Sequence, residues 1–194
     1  MTRVLGLDLS LTATGYAYNE EDIGVIRSKA KGERRLAEIR DAVEEFAFEA
    51  DVVVLEGYSY ASANQAHQIG ELGGVIRLTL WQRRKPFAEV PPAVLKKYAT
   101  GKGNADKDAM LAAAIRRFGF EGDNNNAADA WLLRAMGQAE YVAWNGITDY
   151  QREALGKVEW PKLDIVEQIP RVTEAERREA QVVREVIAET NSTR

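Results

Sequence analysis

The sequence predicts an α/β protein with a mixed five-stranded sheet, flanking helices and a C-terminal extension. Three observations lead to this fold class. Short aliphatic runs typical of strands occur within the first ninety residues, and segments with helical periodicity alternate with the later of these strands. After residue 141 the sequence shows no sustained hydrophobic periodicity. We therefore expect a sheet-based domain over residues 1–141 and an extension of unknown role over 142–194.

The N-terminal half predicts a meander followed by a crossover. Strands over residues 3–9, 14–18 and 23–28 are separated by short polar turns, which is typical of antiparallel neighbours. A helix over 33–49 then leads to a strand over 51–56. Because a helix joins this strand to the meander, we expect it to lie parallel to the first strand and beside it.

The remaining elements are mostly helical. A long helix with three internal glycines leads to a short strand and a run of further helices, predicted over 62–84, 87–90, 91–100, 106–118 and 126–141. Within the extension, residues 173–190 are charged and predict one more helix.

Composition excludes several classes of protein. The chain of 194 residues is 45% hydrophobic, which suits one globular domain with an appendage. The absence of cysteine excludes disulfides, zinc–thiolate sites and a cysteine nucleophile. No signal peptide or membrane-spanning apolar run is evident, so we predict a cytoplasmic protein without membrane association.

The charge is distributed unevenly along the chain. The formal net charge is −4, yet residues 81–107 carry seven basic side chains against two acidic ones. Local potential governs contact with a polyanion, so this stretch predicts nucleic-acid binding despite the acidic average. A solvated surface is the alternative interpretation.

Three carboxylates occupy positions that favour metal binding. Asp8 ends the first strand, Glu56 ends the fourth, and Asp129 lies in the first turn of the helix over 126–141. A carboxylate at the end of a buried strand is costly unless positive charge meets it there. Three such groups predict a shared site for divalent cations, and two cations held by oxygen ligands are the machinery of phosphodiester cleavage.

Four sequence blocks resemble the RuvC-type Holliday junction resolvases of the RNase H-like superfamily, as found in bacteria and phages. The resemblance spans about residues 3–141 and implies an RNase H-like fold. Its blocks occur in the family's order, at residues 5–8 with 14–16, 55–58 with 64 and 70–74, 96–97 with 100–107, and 126–130.

The resemblance implies an active site and its cofactor. Asp8, Glu56, Asn126 and Asp129 match the metal-binding and catalytic positions, and Lys107 matches a catalytic lysine. Mg²⁺ or Mn²⁺, with two ions in each site, is the implied cofactor. The chain departs from the family at Asn126, where Asp or His is usual. A neutral amide oxygen ligates a hard cation but contributes no charge, so either weaker binding of the second ion or assistance from Asp123 is expected.

The resemblance also implies residues that contact DNA. Two kinds of side chain are involved, phosphate-binding lysines and junction-probing aromatics, namely Lys96, Lys97, Lys102, Lys107, Tyr58 and Tyr60. For the two tyrosines, packing in a half-buried position is an equally good interpretation.

The implied activity is that of a crossover junction endodeoxyribonuclease acting in DNA recombination and repair. It resolves four-way junctions by paired symmetric nicks that leave 5′-phosphates. The helix over 62–84 resembles the family's dimer-forming element, and a junction of near two-fold symmetry requires two active sites, so a homodimer is expected.

Three other functions are compatible with parts of the sequence. A related RNase H-like nuclease would cut flaps, forks or RNA–DNA hybrids with the same catalytic core, because fold and metal chemistry do not determine the substrate. The neutral residue at position 126 leaves open a catalytically weak DNA-binding protein. An actin-like ATP-binding protein also has a strand-ending aspartate before Ser, Thr and Gly, but it needs a second domain and a second phosphate loop.

Overall fold

The computed structural model describes residues 2–57, 63–142 and 146–163, and for residues 63–69 it describes the backbone alone. The strands of the described part are β1 (Val4–Asp8), β2 (Thr14–Ala17), β3 (Ile23–Ile26), β4 (Val52–Glu56) and β5 (Phe87–Val90). Its helices are α1 (Gly32–Glu49), α2 (Ala63–Gln82), α3 (Pro92–Thr100), α4 (Lys107–Phe118), α5 (Asn125–Tyr141) and α6 (Asp149–Leu155).

The strands form one mixed sheet in the order β3–β2–β1–β4–β5. The first three strands are antiparallel neighbours, whereas β4 lies parallel to β1 and β5 parallel to β4. The helices α1 and α2 provide the crossovers that parallel pairing requires. The predicted fold class is confirmed, including the adjacent position of the first and fourth strands.

One face of the sheet is covered by α1 and α2 through large aliphatic side chains. Leu7 of β1 and Leu55 of β4 point to this face and are fully buried. They belong to one apolar cluster with Ile39 of α1 and with Leu72 and Ile76 of α2. Burial of a side chain of this size contributes about 2 kcal/mol, so this face supplies much of the core.

The other face is covered by α5, which lies directly on the strand backbone. A Cβ atom added to Gly6 of β1 would stand 2.0 Å from the backbone oxygen of Ala130, and one added to Gly15 of β2 would stand 2.0 Å from that of Asn126. Real Cβ atoms do not approach so closely, so both positions require glycine. The contact fixes the position of α5 relative to β1 and β2.

A short helix, α6, was not predicted from the sequence. It begins with a capping box in which the Gln151 side chain accepts hydrogen bonds from the Thr148 N–H (2.8 Å) and hydroxyl (2.9 Å). Glu153 pairs with Lys97 of α3 at 2.6 Å. The compact unit that contains the sheet continues to Leu163, so the described part of the predicted extension is built onto the core.

Several predictions lie outside the described residues. These concern Tyr58 and Tyr60, the helix over 173–190 and the rest of the extension beyond Leu163. In the ranges that the structure does describe, no helix is long and apolar enough for a membrane crossing.

Candidate active site

Asp8 and Glu56 end two neighbouring parallel strands. The pairing of β1 with β4 runs to Leu7 opposite Leu55, and these two acidic residues come next on their strands. Because side chains alternate along a strand, both carboxyl groups belong to the face opposite Leu7 and Leu55, which α5 covers. The structure therefore brings the two predicted residues together at one edge of the sheet.

The first turn of α5 is held at the same edge. The Asn124 side chain caps the helix by accepting hydrogen bonds from the backbone N–H groups of Asn126 (3.0 Å) and Ala127 (3.1 Å). The Asn126 side chain donates through Nδ2 to the carbonyl of Ala13, in the loop between β1 and β2, at 2.6 Å. With α5 anchored in this way, Asp129 faces the two strand-ending carboxyl groups.

Burial shifts the pKa values of all three carboxyl groups upward, and repulsion between carboxylates adds to the shift at Asp8 and Glu56. Desolvation, followed by the charge of Asp129, raises the pKa of Asp8 to about 7. Desolvation and the charges of Asp8 and Asp129 raise the pKa of Glu56 to about 8. Burial raises the pKa of Asp129 to about 6. A hydrogen bond between Asp8 and Glu56 favours the charged form of the first and the protonated form of the second.

Two lysines supply positive charge next to this cluster. Lys107 is the first residue of α4, which begins there because Asp106 caps the helix through a 2.8 Å bond from the Ala109 N–H. Its charge opposes the upward pKa shifts of Asp8 and Asp129. Lys96 of α3 acts in the same way on Glu56 and Asp129. The five side chains form one electrostatic unit, which we call the acidic cluster with its two lysines.

The other two lysines predicted to contact DNA lie outside this unit. Lys97 is engaged with Glu153 on α6. Lys102 is exposed in the loop between α3 and α4, and this loop is held by a bond from the Lys102 N–H to the Thr100 hydroxyl at 3.1 Å. The structure thus separates Lys96, which lies beside the carboxyl groups, from Lys97, which braces a neighbouring helix.

The acidic cluster contains the oxygen donors of a divalent-cation site, but its side chains are farther apart than the ligands of a bound cation. Among the described residues, no three acidic or histidine side chains stand at the spacing of a bound metal. The donors are nevertheless all hard oxygen atoms, and burial keeps their pKa values raised even though Lys96 and Lys107 oppose the shift. The type of donor atom therefore suits a hard cation. Cation binding would draw the carboxylates together and release the protons that they hold.

Two features of this site were missed by sequence reasoning. Lys96 was predicted only as a phosphate contact, because the packing of α3 that brings it beside Glu56 and Asp129 is a tertiary feature without a sequence signal. The Oδ1 atom of Asn125 is buried and has no hydrogen-bond partner among the described residues. It lies in the first turn of α5 next to Asn126, and the Asn124-Asn125-Asn126 triplet was the available signal.

Comparison with known proteins identifies the family. The family model of crossover junction endodeoxyribonuclease RuvC matches residues 4–133, a range that contains the whole acidic cluster and both lysines. The chain therefore belongs to the RuvC family. A crossover junction endodeoxyribonuclease RuvC from Synechococcus sp. (strain WH7803) is 30% identical over 149 residues, covering 70% of this chain and 97% of the relative. One from Gloeobacter violaceus is 29% identical over 150 residues, covering 70% and 87%.

Solved structures show the same fold. RuvC of Thermus thermophilus superimposes with a TM-score of 0.57 at 19% identity, covering 72% of this chain and 95% of that one. The same protein in complex with Holliday junction substrate superimposes with a TM-score of 0.62 at 18% identity, covering 83% and 100%.

Proposed function

We propose that this protein is a divalent-metal-dependent endonuclease that resolves four-way DNA junctions by paired symmetric nicks. The acidic cluster with its two lysines, placed within a RuvC-family core, is the observation that carries the proposal. The Holliday junction bound to the Thermus relative supports a four-way junction as the substrate. Its proposed setting is DNA recombination and repair in the cytoplasm, or in the host cytoplasm for a phage protein.

We infer that Asp8, Glu56 and Asp129 hold Mg²⁺ or Mn²⁺, with two ions in each site. Asn126 would add the Oδ1 oxygen of its amide, because its Nδ2 is engaged with Ala13. When bound, the ions supply an activated water molecule and stabilise the leaving oxygen of the phosphodiester.

The lysines have a role that does not depend on the ions. Phosphate oxygens gain negative charge during in-line displacement, and fixed positive groups beside them lower the barrier. Lys96 and Lys107 approach the carboxyl groups from α3 and α4, so a phosphate between them would meet positive charge from two elements. Hydrolysis adds water across the P–O3′ bond and yields a 3′-hydroxyl and a 5′-phosphate.

We propose that the protein acts as a homodimer, because a junction of near two-fold symmetry requires two sites. The described outer face of α2 supports this. Gly74 is exposed, a Cβ added there would meet no described atom within 4 Å, and the next turns expose Leu78 (54%) and Trp81 (63%). A small residue beside exposed apolar ones permits close approach by a second helix, and mid-helix glycine otherwise costs about 1 kcal/mol.

Cleavage of end-labelled DNA tests the activity. Purified protein in Mg²⁺ is compared on an immobile four-way junction, a flap and a linear duplex. We expect paired nicks at symmetric positions on the junction alone, and a loss on the order of 10³-fold or more in Asp8→Asn, because several kcal/mol of metal-dependent stabilisation is removed. Asp41→Asn is the matched control, since Asp41 is exposed on α1 and pairs with Arg40.

Each alternative function has its own outcome in this assay. Comparable cutting of flaps or forks would indicate a broader branch nuclease on the same core. Junction binding without cutting in Mg²⁺ or Mn²⁺ would indicate a DNA-binding protein. Cleavage by Asp8→Asn at the rate of the unmodified protein would contradict the site assignment.

Sedimentation tests the homodimer. We expect the mass of two chains at working concentrations, and dissociation in Leu78→Glu, because the added charge would be buried at the α2 face. The control is Ile115→Glu, which places the same charge at an exposed apolar position on α4. A mass of one chain for the unmodified protein, with and without junction DNA, would contradict the homodimer.

A further inference from the structure

The segment between β3 and α1, residues 27–31, begins at the same edge of the sheet as the acidic cluster. β3 is antiparallel to β2, which is antiparallel to β1, so β1 and β3 run in the same direction. Asp8 pairs with Gly15, and the neighbouring Thr14 pairs with Ile26, the last residue of β3. The chain therefore leaves β3 at the edge where β1 and β4 present their carboxyl groups.

The start of this β3–α1 segment also belongs to the α5 face. Ile23 and Val25 pack against the apolar cluster under α5, whereas Ile26 packs against the cluster under α1 and α2. This alternation, continued by one residue, assigns Arg27 to the face that carries Asp8 and Glu56. The β3–α1 segment therefore begins at the same edge and on the same face of the sheet as the acidic cluster.

The segment carries uncompensated positive charge. Arg27, Lys29 and Lys31 are exposed, and none forms an ion pair with a carboxylate of the described chain. Glu38 of α1, whose carboxylate contacts this segment, is already engaged with Arg34 at 3.0 Å and with the Ser28 hydroxyl at 2.6 Å. In a chain of net charge −4, this is a local concentration of positive charge.

Other groups hold the backbone of the segment in place. The Ala30 N–H donates to the Ser28 hydroxyl at 3.0 Å, and the Arg35 guanidinium donates to the Ala30 carbonyl at 2.7 Å. Arg27, Lys29 and Lys31 are not used in these bonds. The hairpin at the other end of β2 and β3 has the contrary charge, because it carries Glu20, Glu21 and Asp22.

We propose that Arg27, Lys29 and Lys31 bind DNA backbone phosphates on the side of the scissile phosphate away from α3 and α4. In the sheet order, β1 and β4 stand between β3 and β5, so the carboxyl groups lie between this segment and the lysines of α3. Two strand spacings separate β1 from β3, about 10 Å, or roughly three phosphate steps along a duplex. The inference rests on the proposed function, since it assigns a second binding surface to the same substrate.

A charge-matched comparison tests the proposal. Arg27, Lys29 and Lys31 are changed together to Gln in one protein, and Arg83, Arg84 and Lys162 in the control. Arg83 and Arg84 belong to the basic stretch over 81–107, but they precede β5 and so lie at the edge opposite the acidic cluster, unlike Lys96 and Lys107. Lys162 lies at the same opposite edge, because it follows Pro161, whose carbonyl accepts from Tyr141 at the end of α5. Binding to an uncut four-way junction is measured without divalent cations across a salt series, together with phosphate-ethylation interference.

The segment variant should bind at least about tenfold more weakly than the control at low salt. The slope of log affinity against log salt concentration should be shallower by about one for each phosphate that the variant no longer binds. Interference should disappear on one side of the cleavage position and persist on the other.

Two results overturn the proposal. Equally weakened binding in both variants would mean that the change in net charge alone explains the loss of affinity. Unchanged binding in the segment variant would show that these three side chains do not bind DNA. If the unmodified protein showed no preference for junction over duplex, the proposed function itself would fail, which is a separate outcome.

Discussion

The two faces of the sheet are packed in different ways. On the α1–α2 face, side chains such as Leu7 and Leu55 hold the helices away from the strands. On the α5 face, Gly6 and Gly15 bring the helix backbone against the strand backbone. Only the α5 face carries the acidic cluster. Where α5 touches β1 and β2, backbone contact rather than a side-chain rotamer sets the position of Asp129 relative to Asp8, and such a contact has little freedom to vary.

The largest expected effect is a substitution that separates α5 from the strands. Gly6→Ala should lower the free energy of unfolding by at least about 3 kcal/mol, because the new methyl group meets the Ala130 carbonyl and the backbone must move. Gly24→Ala is the control in the same sheet, since its Cβ would meet the Tyr16 side chain at 3.2 Å. Urea denaturation measures both, and equal stabilities would contradict backbone contact as the defining feature of this face.

The next effect concerns charge, which distinguishes the α5 face. The folded-state pKa values of Asp8, Glu56 and Asp129 lie above their usual values, so the folded protein holds these protons more tightly than the unfolded chain. The resulting contribution to the free energy of unfolding is present at low pH and is lost as pH rises toward about 8. Without divalent cations, the stability of the unmodified protein relative to Asp8→Asn should fall by on the order of 2 kcal/mol between about pH 4 and pH 8.

Thermal unfolding across pH measures this difference, with Asp41→Asn as the matched control. Added Mg²⁺ should raise the Tm more at pH 8 than at pH 5, because ionised carboxylates bind it better. A difference between the unmodified protein and Asp8→Asn that does not change with pH would contradict the raised pKa values.

A smaller effect separates two lysines that lie five residues apart. Lys107→Ala should slow cleavage of bound junction by about 10- to 100-fold, because it removes positive charge beside Asp8, where the proposed function requires the reacting phosphate. Lys102→Ala should weaken binding while leaving the single-turnover rate near that of the unmodified protein, since Lys102 lies outside the acidic cluster. Single-turnover kinetics at saturating protein separate the two, and equal rates would return Lys107 to the class of surface charges.

The smallest effect is expected at α6, which contributes to neither face of the central strands. The Tyr150 hydroxyl accepts a hydrogen bond from Arg117 at 2.9 Å. Tyr150→Phe should therefore cost about 1 kcal/mol of stability and leave cleavage unchanged. A clear loss of cleavage in correctly folded protein would show that α6 takes part in positioning the site.

The sheet was predictable because the hydrophobic periodicity of each segment and the order of the segments along the chain determine it. Aliphatic runs and one helical crossover are enough to place the ends of β1 and β4 together, and with them Asp8 and Glu56. Features that depend on how elements pack carried no such signal. Lys96 and the β3–α1 segment reach the edge that carries the acidic cluster through the packing of α3 and the register of β3, and α6 is too short to show a period. Its Thr148-x-x-Gln151 capping box was the local signal available.

The hydrogen bond from Asn126 to the Ala13 carbonyl connects positions 113 residues apart. An aspartate at this position would add charge for a cation but has no N–H to donate, and it would set a carboxylate oxygen against the carbonyl. A laboratory selection for rapid DNA cleavage at low magnesium concentration should therefore not yield Asn126→Asp alone. We expect the selected variants to combine it with a second substitution in residues 9–13 that turns the Ala13 carbonyl away.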